Sequence, residues 1–516
     1  MGYDNGLGVV KTTTSTTISG PLIRAGEKNN LHIPVVNYVK RQMLAYPLLI
    51  ITDMFSLSLS ILLAYTMRAF LLPTAIKVLP ETSMAYVYAL WWVPVLGSVF
   101  FIFEKSYSKR IPFWQESGQI VKTTTLAFLV TICIVFLTKQ GDMTSRTLVL
   151  FAWVMSLFLV PVMRYLSKLL LLKLHIWEKP VIILGAGETG KLLLNTLYRE
   201  LSIGYRPVGF LDDDIDKQLH PPELPDGQKV PVLGNFDEAE TIIEQSGIRD
   251  VIVAAPGLPG KKLVQLVNKL QRKTYNLLVV PDLFGMAMED AEVQHLFNER
   301  ALVLKLKNNL NDRLNLFTKT IFDLIASIII FIMLIPFMLL LAIAIKIDSI
   351  GTVFFSDTRI GKDGVEFKCF KFRTMYPNAD KILKEYLTAN HSARIQWEKY
   401  AKLKDNDPRV TRVGVFLRRF SLDELPQILN VIKGDMSLVG PRPYLPREKE
   451  KMLGREDIFV TRPGITGLWQ VSGRNDVEFN ERLRLDTWYV RNWSLWLDIS
   501  ILIRSIKVVI KGNGAY

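Results

Sequence analysis

The stretch IFDLIASIIIFIMLIPFMLLLAIAIKI, Ile321–Ile347, decides how this chain is built. It is long enough to cross a bilayer, since a spanning helix takes about 20 apolar residues. Two features argue against a simple crossing. Lys305, Lys307, Arg313 and Lys319 precede it, and Lys346, Arg359 and Lys362 follow it. Cytoplasmic flanks carry the excess of Lys and Arg, so both ends read as cytoplasmic. Pro336 also removes a backbone hydrogen bond in mid-segment and bends the helix. The expectation is a re-entrant helix–break–helix hairpin that turns at Pro336 and keeps everything after it on the cytoplasmic face.

Upstream lie four further apolar segments, Leu48–Leu72, Met84–Phe103, Ile120–Leu137 and Leu148–Leu172, each of spanning length. Lys40 and Arg41 precede the first, Lys105, Lys109 and Arg110 separate the second from the third, and Arg164, Lys168 and Lys173 close the fourth. The loops near Lys77 and Lys139–Arg146 are poorer in cations, which predicts four crossings with both ends cytoplasmic. Asp53, near the start of the first span, is expected either to contact a neighbouring helix or to be solvated at the interface. Met1–Asn30 is polar and rich in Ser, Thr and Gly; it reads as a disordered tail and carries no cleavable signal peptide.

Composition agrees with a membrane protein that carries soluble domains: 49% hydrophobic residues, mean hydropathy +0.21 and 22% charged residues. The net charge of +14 favours anionic partners, phosphates or acidic headgroups. No nucleic-acid-binding module is visible, so nucleic acid is not expected as a partner. Cys133 and Cys369, the two cysteines, support neither a disulfide framework nor a zinc site.

Between Pro180 and Val303 the pattern changes. VIILGAGETG (Val181–Gly190) is a β-branched strand running into a glycine-rich turn and the helical KLLLNTLYREL. PVGFLDDD, RDVIVAA (Arg249–Ala255) and YNLLVVP (Tyr275–Pro281) supply further strands between helical stretches. This alternation predicts a Rossmann-like parallel α/β sheet. Gly185, Gly187 and Gly190 satisfy the dinucleotide fingerprint in its strand–turn–helix setting, and Asp212 stands where an acid would meet a ribose. Those four residues are the candidate nucleotide site. The Tyr-x-x-x-Lys pair of short-chain dehydrogenases is missing from this region, because the chain's match, Tyr400 and Lys404, lies outside it.

Beyond the hairpin segment come RIGKDGVEFKCFKFRTM (Arg359–Met375), a polar helical stretch (Asp380–Lys404) and RRFSLDELPQ (Arg418–Gln427). Adjacent carboxylates on an α-helix point about 100° apart, so Asp423 and Glu424 suit two different jobs. One can face a reacting phosphorus as nucleophile while the other holds a divalent cation. A DE pair alone would read as a solvated helix start. Here it sits among basic residues and glycine turns: Lys371, Arg373, Arg418, Arg442 in GPRP, and Arg462 and Arg474 in TRPGITGLWQVSGRN. Forked donors beside closely approaching backbone are what a diphosphate needs. The last helical stretch, Trp493–Ile510, is amphipathic and suits either the membrane interface or packing on the catalytic core.

These motifs resemble the bacterial polyprenyl-phosphate hexose-1-phosphate transferases, the monotopic phosphoglycosyl transferases. The matching text is the Pro-broken hairpin, RIGKDG, KFRTM, SLDELPQILNVIKGDMSLVGPRP and RPGITGLWQVSGRN, covering about Asn311–Tyr516. Four spans plus an α/β domain match the large subgroup. The stretch Ile382–Thr411 and the terminal GAY are similar to the undecaprenyl-phosphate galactose phosphotransferases. The resemblance implies that Asp423 attacks the β-phosphorus of a UDP-hexose, releasing UMP and leaving a hexose-1-phosphoryl-aspartate. It implies that Glu424 helps bind Mg²⁺ (or Mn²⁺), that Arg418 and Arg442 neutralise phosphate, and that undecaprenyl phosphate then takes the sugar phosphate. The setting implied is surface-glycan synthesis at the bacterial inner membrane, with the catalytic domain cytoplasmic. Ile335 departs from the pattern, since many relatives carry Ser before the hairpin proline.

The expected organisation is therefore a membrane protein of mixed α and α/β class. Residues 1–42 form the tail, 43–175 a four-helix transmembrane bundle, 176–305 the α/β domain, 306–348 the linker and re-entrant helix, and 349–516 a mostly helical catalytic domain. The α/β domain is expected to serve regulation or assembly, a homodimer being the commonest use of such a docking surface. Two competing readings are a nucleotide-sensing membrane scaffold and an NAD-dependent nucleotide-sugar enzyme. UDP-glucose is the alternative donor.

Overall fold

The computed structural model describes residues 35–71, 83–138, 145–281, 292–296, 301–305, 309–400, 403, 407–452, 456–473 and 477–511. The expected tail falls outside them as far as residue 34. The chain divides into two compact units, 1–282 and 283–516. Among the described residues, five helical stretches are long and apolar enough to cross a membrane: Met43–Phe70, Ala85–Phe103, Phe113–Leu137, Arg146–Lys173 and Arg313–Asp348.

In the first unit, helix α1 (Val35–Thr66) packs against α3 (Val93–Phe103) and α5 (Arg146–Lys173), and α4 (Phe113–Leu137) packs against α3 and α5. A short α2 (Ala85–Ala89) precedes α3, which begins afresh with Pro94 in its first turn, where a missing N–H costs nothing. The bundle's interior is apolar, with Leu49, Leu57, Phe101, Leu148 and Val160 almost fully buried.

Charge is also buried there. Asp53 of α1 pairs with Arg164 of α5, which also donates to Ser106 Oγ at 2.6 Å. Lys168, one turn further, donates to both oxygens of Glu116 at 2.7 Å. Two cations and two anions therefore cancel inside the bundle, which is the condition for tolerating ionised side chains at membrane depth. This corrects the reading of Arg164 and Lys168 as flanking charges and settles Asp53 on a neighbouring helix. Arg110, in the α3–α4 loop, donates to the carbonyls of Trp177 and Ile203 at 2.9 Å and lies 4.1 Å from the Trp177 ring. Lys168 lies over the same ring at 4.8 Å, so the bundle and the start of the α/β sheet share one set of contacts.

The sheet has five parallel strands in the order β3-β2-β1-β4-β5: β1 Lys179–Leu184, β2 Tyr205–Leu211, β3 Val232–Gly234, β4 Asp250–Val253 and β5 Asn276–Val279. Helices α6 (Glu188–Arg199), α7 (Ile215–Leu219), α8 (Ala239–Ser246) and α9 (Gly260–Gln271) lie between them in sequence. Strand β1 shows why its run is unbroken apolar: Val181 and Ile183 join the core on one face, Ile182 and Leu184 the core on the other. A central parallel strand is covered on both sides, so period-2 alternation of polarity disappears. The hairpin β6 (Glu292–Leu296) and β7 (Ala301–Lys305) pairs only with itself and falls in the second unit, so the α/β sheet ends before residue 282 rather than at 305.

The second unit is organised on α10 (Arg313–Asp348), 36 residues recorded as one helix with Pro336 inside it. The two-helix hairpin expected from sequence is thus a single element through the proline, whose ring leaves the Ile332 carbonyl without its helical donor. Both arms of α10 pack on the rest of this unit. Before the proline, Lys319 donates to Asp498 at 2.7 Å and to the Val439 carbonyl at 3.1 Å, and Asp323 accepts from Ser437 at 2.7 Å. After it, Met338, Leu341 and Ile345 pack with Phe372 and Leu417, and Asp348 accepts the Val413 N–H at 3.0 Å. Between the arms, Ile328, Ile329, Ile332 and Met333 are exposed apolar side chains.

The second unit continues with the antiparallel pair β8 (Phe354–Ile360) and β9 (Glu366–Phe372), then α11 (Ala379–Ala389), α12 (His391–Tyr400) and α13 (Arg412–Arg419). A 3₁₀ turn (Leu422–Gln427), α14 (Ile428–Lys433), the parallel pair β10 (Ser437–Val439) and β11 (Gly464–Thr466), α15 (Leu468–Ser472), α16 (Phe479–Arg491) and α17 (Leu495–Lys511) complete it.

The bundle's charge balance predicts a specific failure. Glu116→Ala leaves the Lys168 ammonium buried beside Arg164, at a cost of about 3–5 kcal/mol. Thermal unfolding in detergent should begin at a clearly lower temperature, and Glu116→Leu combined with Lys168→Met should restore most of the loss.

Candidate active site

The Asp423–Glu424 pair sits on a tightly wound turn. The Thr411 side chain caps α13, and the helix ends at Arg419. Ser421 then takes a left-handed conformation (φ 54°), and Leu422–Gln427 form a 3₁₀ helix instead of the α-helix first assumed. With three residues per turn, Asp423 and Glu424 diverge by about 120°, further than on an α-helix. The 3₁₀ turn is built against β9. Asn430 of α14 fastens that strand, accepting the Phe370 N–H at 3.0 Å and donating to the Lys368 carbonyl at 2.8 Å. The register this imposes brings Lys371 Nζ to 2.7 Å from Glu424 Oε1.

Around the pair opens a cavity of about 1430 Å³ lined by Arg359, Lys371, Arg373, Arg418, Arg442, Asp423 and Glu424. Burial, followed by the charge of Glu424, pushes the Asp423 carboxyl up to about 6, against the pull of Lys371 and Arg418. Burial would raise Glu424 too, but the Lys371 charge and hydrogen bond, with Arg442 and Arg359 behind them, hold it below its ordinary value. Lys371 is held above its own: burial opposes its charge, and Glu424 and Asp423 outweigh burial. The two neighbouring carboxyls are therefore shifted in opposite directions, Asp423 up and Glu424 down.

The basic residues divide into different roles. Arg418 donates through Nε to Thr374 Oγ1 at 3.0 Å, and Thr374 is itself held by Thr411, which donates to its carbonyl. Gly414 is required at that crossing, because a Cβ there would strike the Thr374 carbonyl. The Arg442 backbone N–H is fixed by Asp486 at 3.0 Å, and its guanidinium carbon lies 5.5 Å from the Trp469 ring. Arg373, read from sequence as a substrate ligand, lines the cavity while its two terminal nitrogens donate to Ser349 and the Ile350 carbonyl, holding the end of α10. Arg462 is not among the described cavity-lining residues and lies instead beside Gly434; Arg474 falls outside the described residues. Sequence reading missed Arg359, counted only as a flank charge although it sits in RIGKDG, and Asp486, whose motif carries no signal. Buried Asp486 accepts from Arg442 N and Tyr444 OH, and its burial raises the carboxyl to about 7.

A divalent cation fits this chemistry only with help. No cluster of three or more acidic, His or Cys side chains that could hold a metal occurs among the described residues. Glu424 lines the cavity, and its recorded hydrogen bond engages Oε1. Mg²⁺ is commonly held by one or two carboxylates plus substrate phosphates, and Glu424 beside Asp423 meets that pattern.

The glycine loop of the α/β domain has the local geometry of its fingerprint. Gly185 has φ +102°, and Gly190 lies where a Cβ would strike the Gly185 carbonyl. Asp212, however, is engaged within the chain. One oxygen accepts the Ala186 N–H at 2.7 Å, the other the Asp214 N–H at 3.0 Å, and Lys217 Nζ lies 3.3 and 3.4 Å from the two. A ribose diol would have to displace that lysine.

Residues 314–512 match the family model described as bacterial sugar transferase, and residues 106–281 match one described as CoA-binding domain. The undecaprenyl-phosphate galactose phosphotransferase of Salmonella typhimurium is 38% identical over 81% of this chain and 86% of its own. The UDP-galactose-lipid carrier transferase of Erwinia amylovora is 36% identical over 81% and 86%. A UDP-glucose:undecaprenyl-phosphate glucose-1-phosphate transferase of Xanthomonas campestris pv. campestris is 33% identical over 65% and 67%. Likeness over 421 residues extends well beyond the transferase region alone, and this chain belongs to the bacterial sugar transferase family.

Proposed function

We propose that the protein transfers hexose-1-phosphate, with galactose as the hexose, from a UDP-hexose to undecaprenyl phosphate in bacterial surface-glycan synthesis. The observation that carries this reading is the pairing of one raised and one lowered carboxylate in a cationic cavity that also has an apolar wall. Ile330, Leu334 and Phe337 of α10 and Leu502, Ile506 and Val509 of α17 line that wall, suiting a lipid acceptor. The names of the galactose-linked relatives support the sugar, and UDP-glucose remains the runner-up because of the Xanthomonas relative.

In the first half-reaction an Asp423 oxygen donates its electron pair to the β-phosphorus. The bond from that phosphorus to the bridging oxygen breaks, and UMP leaves with the pair. In the second, an oxygen of the lipid phosphate attacks the same phosphorus, and the Asp423 carboxylate leaves. Splitting the transfer lets a water-soluble donor and a lipid acceptor use one site in turn. Lys371 keeps Glu424 ionised and in place, while Arg418 and Arg442 neutralise the diphosphate, the main requirement of phosphoryl chemistry. Mg²⁺ (or Mn²⁺), held by Glu424 and the substrate's phosphates, would add further neutralisation of the leaving group.

In this reading α10 is re-entrant and the catalytic unit faces the cytoplasm at the inner membrane. The packing of both arms of α10 on one unit supports that topology. The α/β domain serves regulation or homodimer assembly, since every group invoked in the chemistry lies after residue 350.

Three outcomes test the reading. Incubation with a panel of UDP-hexoses and undecaprenyl phosphate should release UMP with UDP-galactose. Asp423→Asn should cut that release by more than about 1,000-fold and abolish exchange of labelled UMP into donor. Continued exchange would remove the covalent step, and a scaffold would release nothing from any donor. Because the folded-state pKa of Asp423 lies above the ordinary carboxylate value, its ionisation costs stability as pH rises through about 6. The Asn variant should therefore melt higher than wild type at pH 8, with the gap closing towards pH 4.

By the same titration, donor-side kcat/KM should climb with pH and then level off, the rise moving below about 6 as bound metal favours the ionised carboxylate. A flat profile from pH 5 to 8 would show that Asp423 ionisation does not limit attack. Single cysteines replacing Asp312 and Asp348, which flank and end α10, should both react with an impermeant maleimide only from the cytoplasmic side. Reaction from opposite sides would make the helix a crossing.

A further inference from the structure

The cavity wall contains one carboxylate that the mechanism does not use. Of the described lining residues, Asp423 and Glu424 are the reacting pair, five are cations, and the remaining acid is Asp380. It stands exposed in the first turn of α11, at the end of a short segment that starts from Lys371. That segment can be followed residue by residue. Lys371 holds Glu424; Thr374, three residues on, accepts from Arg418; Tyr376 is pinned by its N–H to the Arg409 carbonyl at 2.9 Å. The Tyr376 carbonyl then accepts the Ala379 N–H at 3.1 Å, which starts α11 and sets Asp380. Tyr376 and Asp380 both line the cavity.

We propose that Asp380, with Tyr376 beside it, binds the hydroxyls of the donor's hexose and discriminates between epimers. This rests on the transferase reading and assigns the substrate-recognition end of the same site. The cations suit the diphosphate, and a carboxylate among them would repel it. The uncharged sugar is the part of the donor that a carboxylate attracts, accepting hydrogen bonds from adjacent hydroxyls. On the Arg442 side of the cavity, Trp469 offers the flat apolar surface that suits a base, which leaves the Arg418–Tyr376 side for the sugar. A site built to hydrogen-bond a particular hydroxyl rejects the epimer that misplaces it far more strongly than an apolar pocket can. The bland role for Asp380 is stabilisation of the start of α11 by a first-turn acid.

The test uses the full-length protein in lipid nanodiscs with undecaprenyl phosphate, comparing wild type, Asp380→Ala and Asp380→Asn on UDP-galactose and UDP-glucose. Asp380→Ala should reduce the kcat/KM ratio of preferred hexose over its C4 epimer by at least about tenfold, with Asn intermediate. Inhibition by UMP should be unchanged, because UMP carries no hexose. An unchanged epimer ratio overturns the assignment, whether activity is preserved or falls equally for both donors with a lower melting temperature, as a helix-start role would give. Weaker UMP inhibition at a constant ratio also overturns it, by moving Asp380 to the ribose. If wild type releases UMP from no donor in the panel, the transferase reading falls and this assignment with it.

Discussion

The contact on which the catalytic unit depends is the ion pair between Lys371 and Glu424, 2.7 Å long. Two adjacent carboxylates in a partly enclosed cavity repel each other, and burial penalises both. Without a cation fixed beside one of them, each would be driven towards protonation, and the pair would lose the difference that makes it useful. Lys371 is held by strand β9, β9 by Asn430, and Asn430 stands on the helix that continues from the 3₁₀ turn carrying the acids. The turn, the strand and the helix therefore form a closed loop of constraints, and the chemistry inherits its geometry from that loop.

The same rule governs the membrane bundle. Asp53, Glu116, Arg164 and Lys168 are nearly inaccessible, yet their charges cancel in pairs. At the base of α10, Lys319 is surrounded in the same way by Asp498, Asp323 and the Val439 carbonyl. Each set joins elements far apart in sequence, so each trades the cost of desolvation for a specific docking of helices. Arg373 follows the pattern with neutral partners: its guanidinium satisfies the carbonyls left over where α10 ends.

The α/β domain shows how a sequence fingerprint and a binding site can part company. Its glycines are needed for the turn and for close helix packing, and the turn forms as the fingerprint requires. The acid in the pattern, however, is spent on the loop's own backbone and on Lys217.

Much was legible from local text. Apolar run lengths marked the described helices long and apolar enough to cross a membrane, β-branched runs and the glycine turn marked the parallel sheet, and the DE pair among arginines marked the cavity. Such features are written in neighbouring residues: periodicity, turn chemistry and hydropathy act over one or two turns of chain. The rest required the third dimension. Whether Arg164 is a flank charge or an internal partner, and whether Arg373 faces phosphate or clamps a helix end, depends on residues tens of positions away. So does the choice between an α-turn and a 3₁₀ turn at Asp423, which packing against β9 accompanies. The sequence by itself determined which elements form and which residue types gather near the acids. Only the tertiary structure decided which of those charges are satisfied internally and which are left to meet a substrate, because desolvation and pairing are set by distance in space.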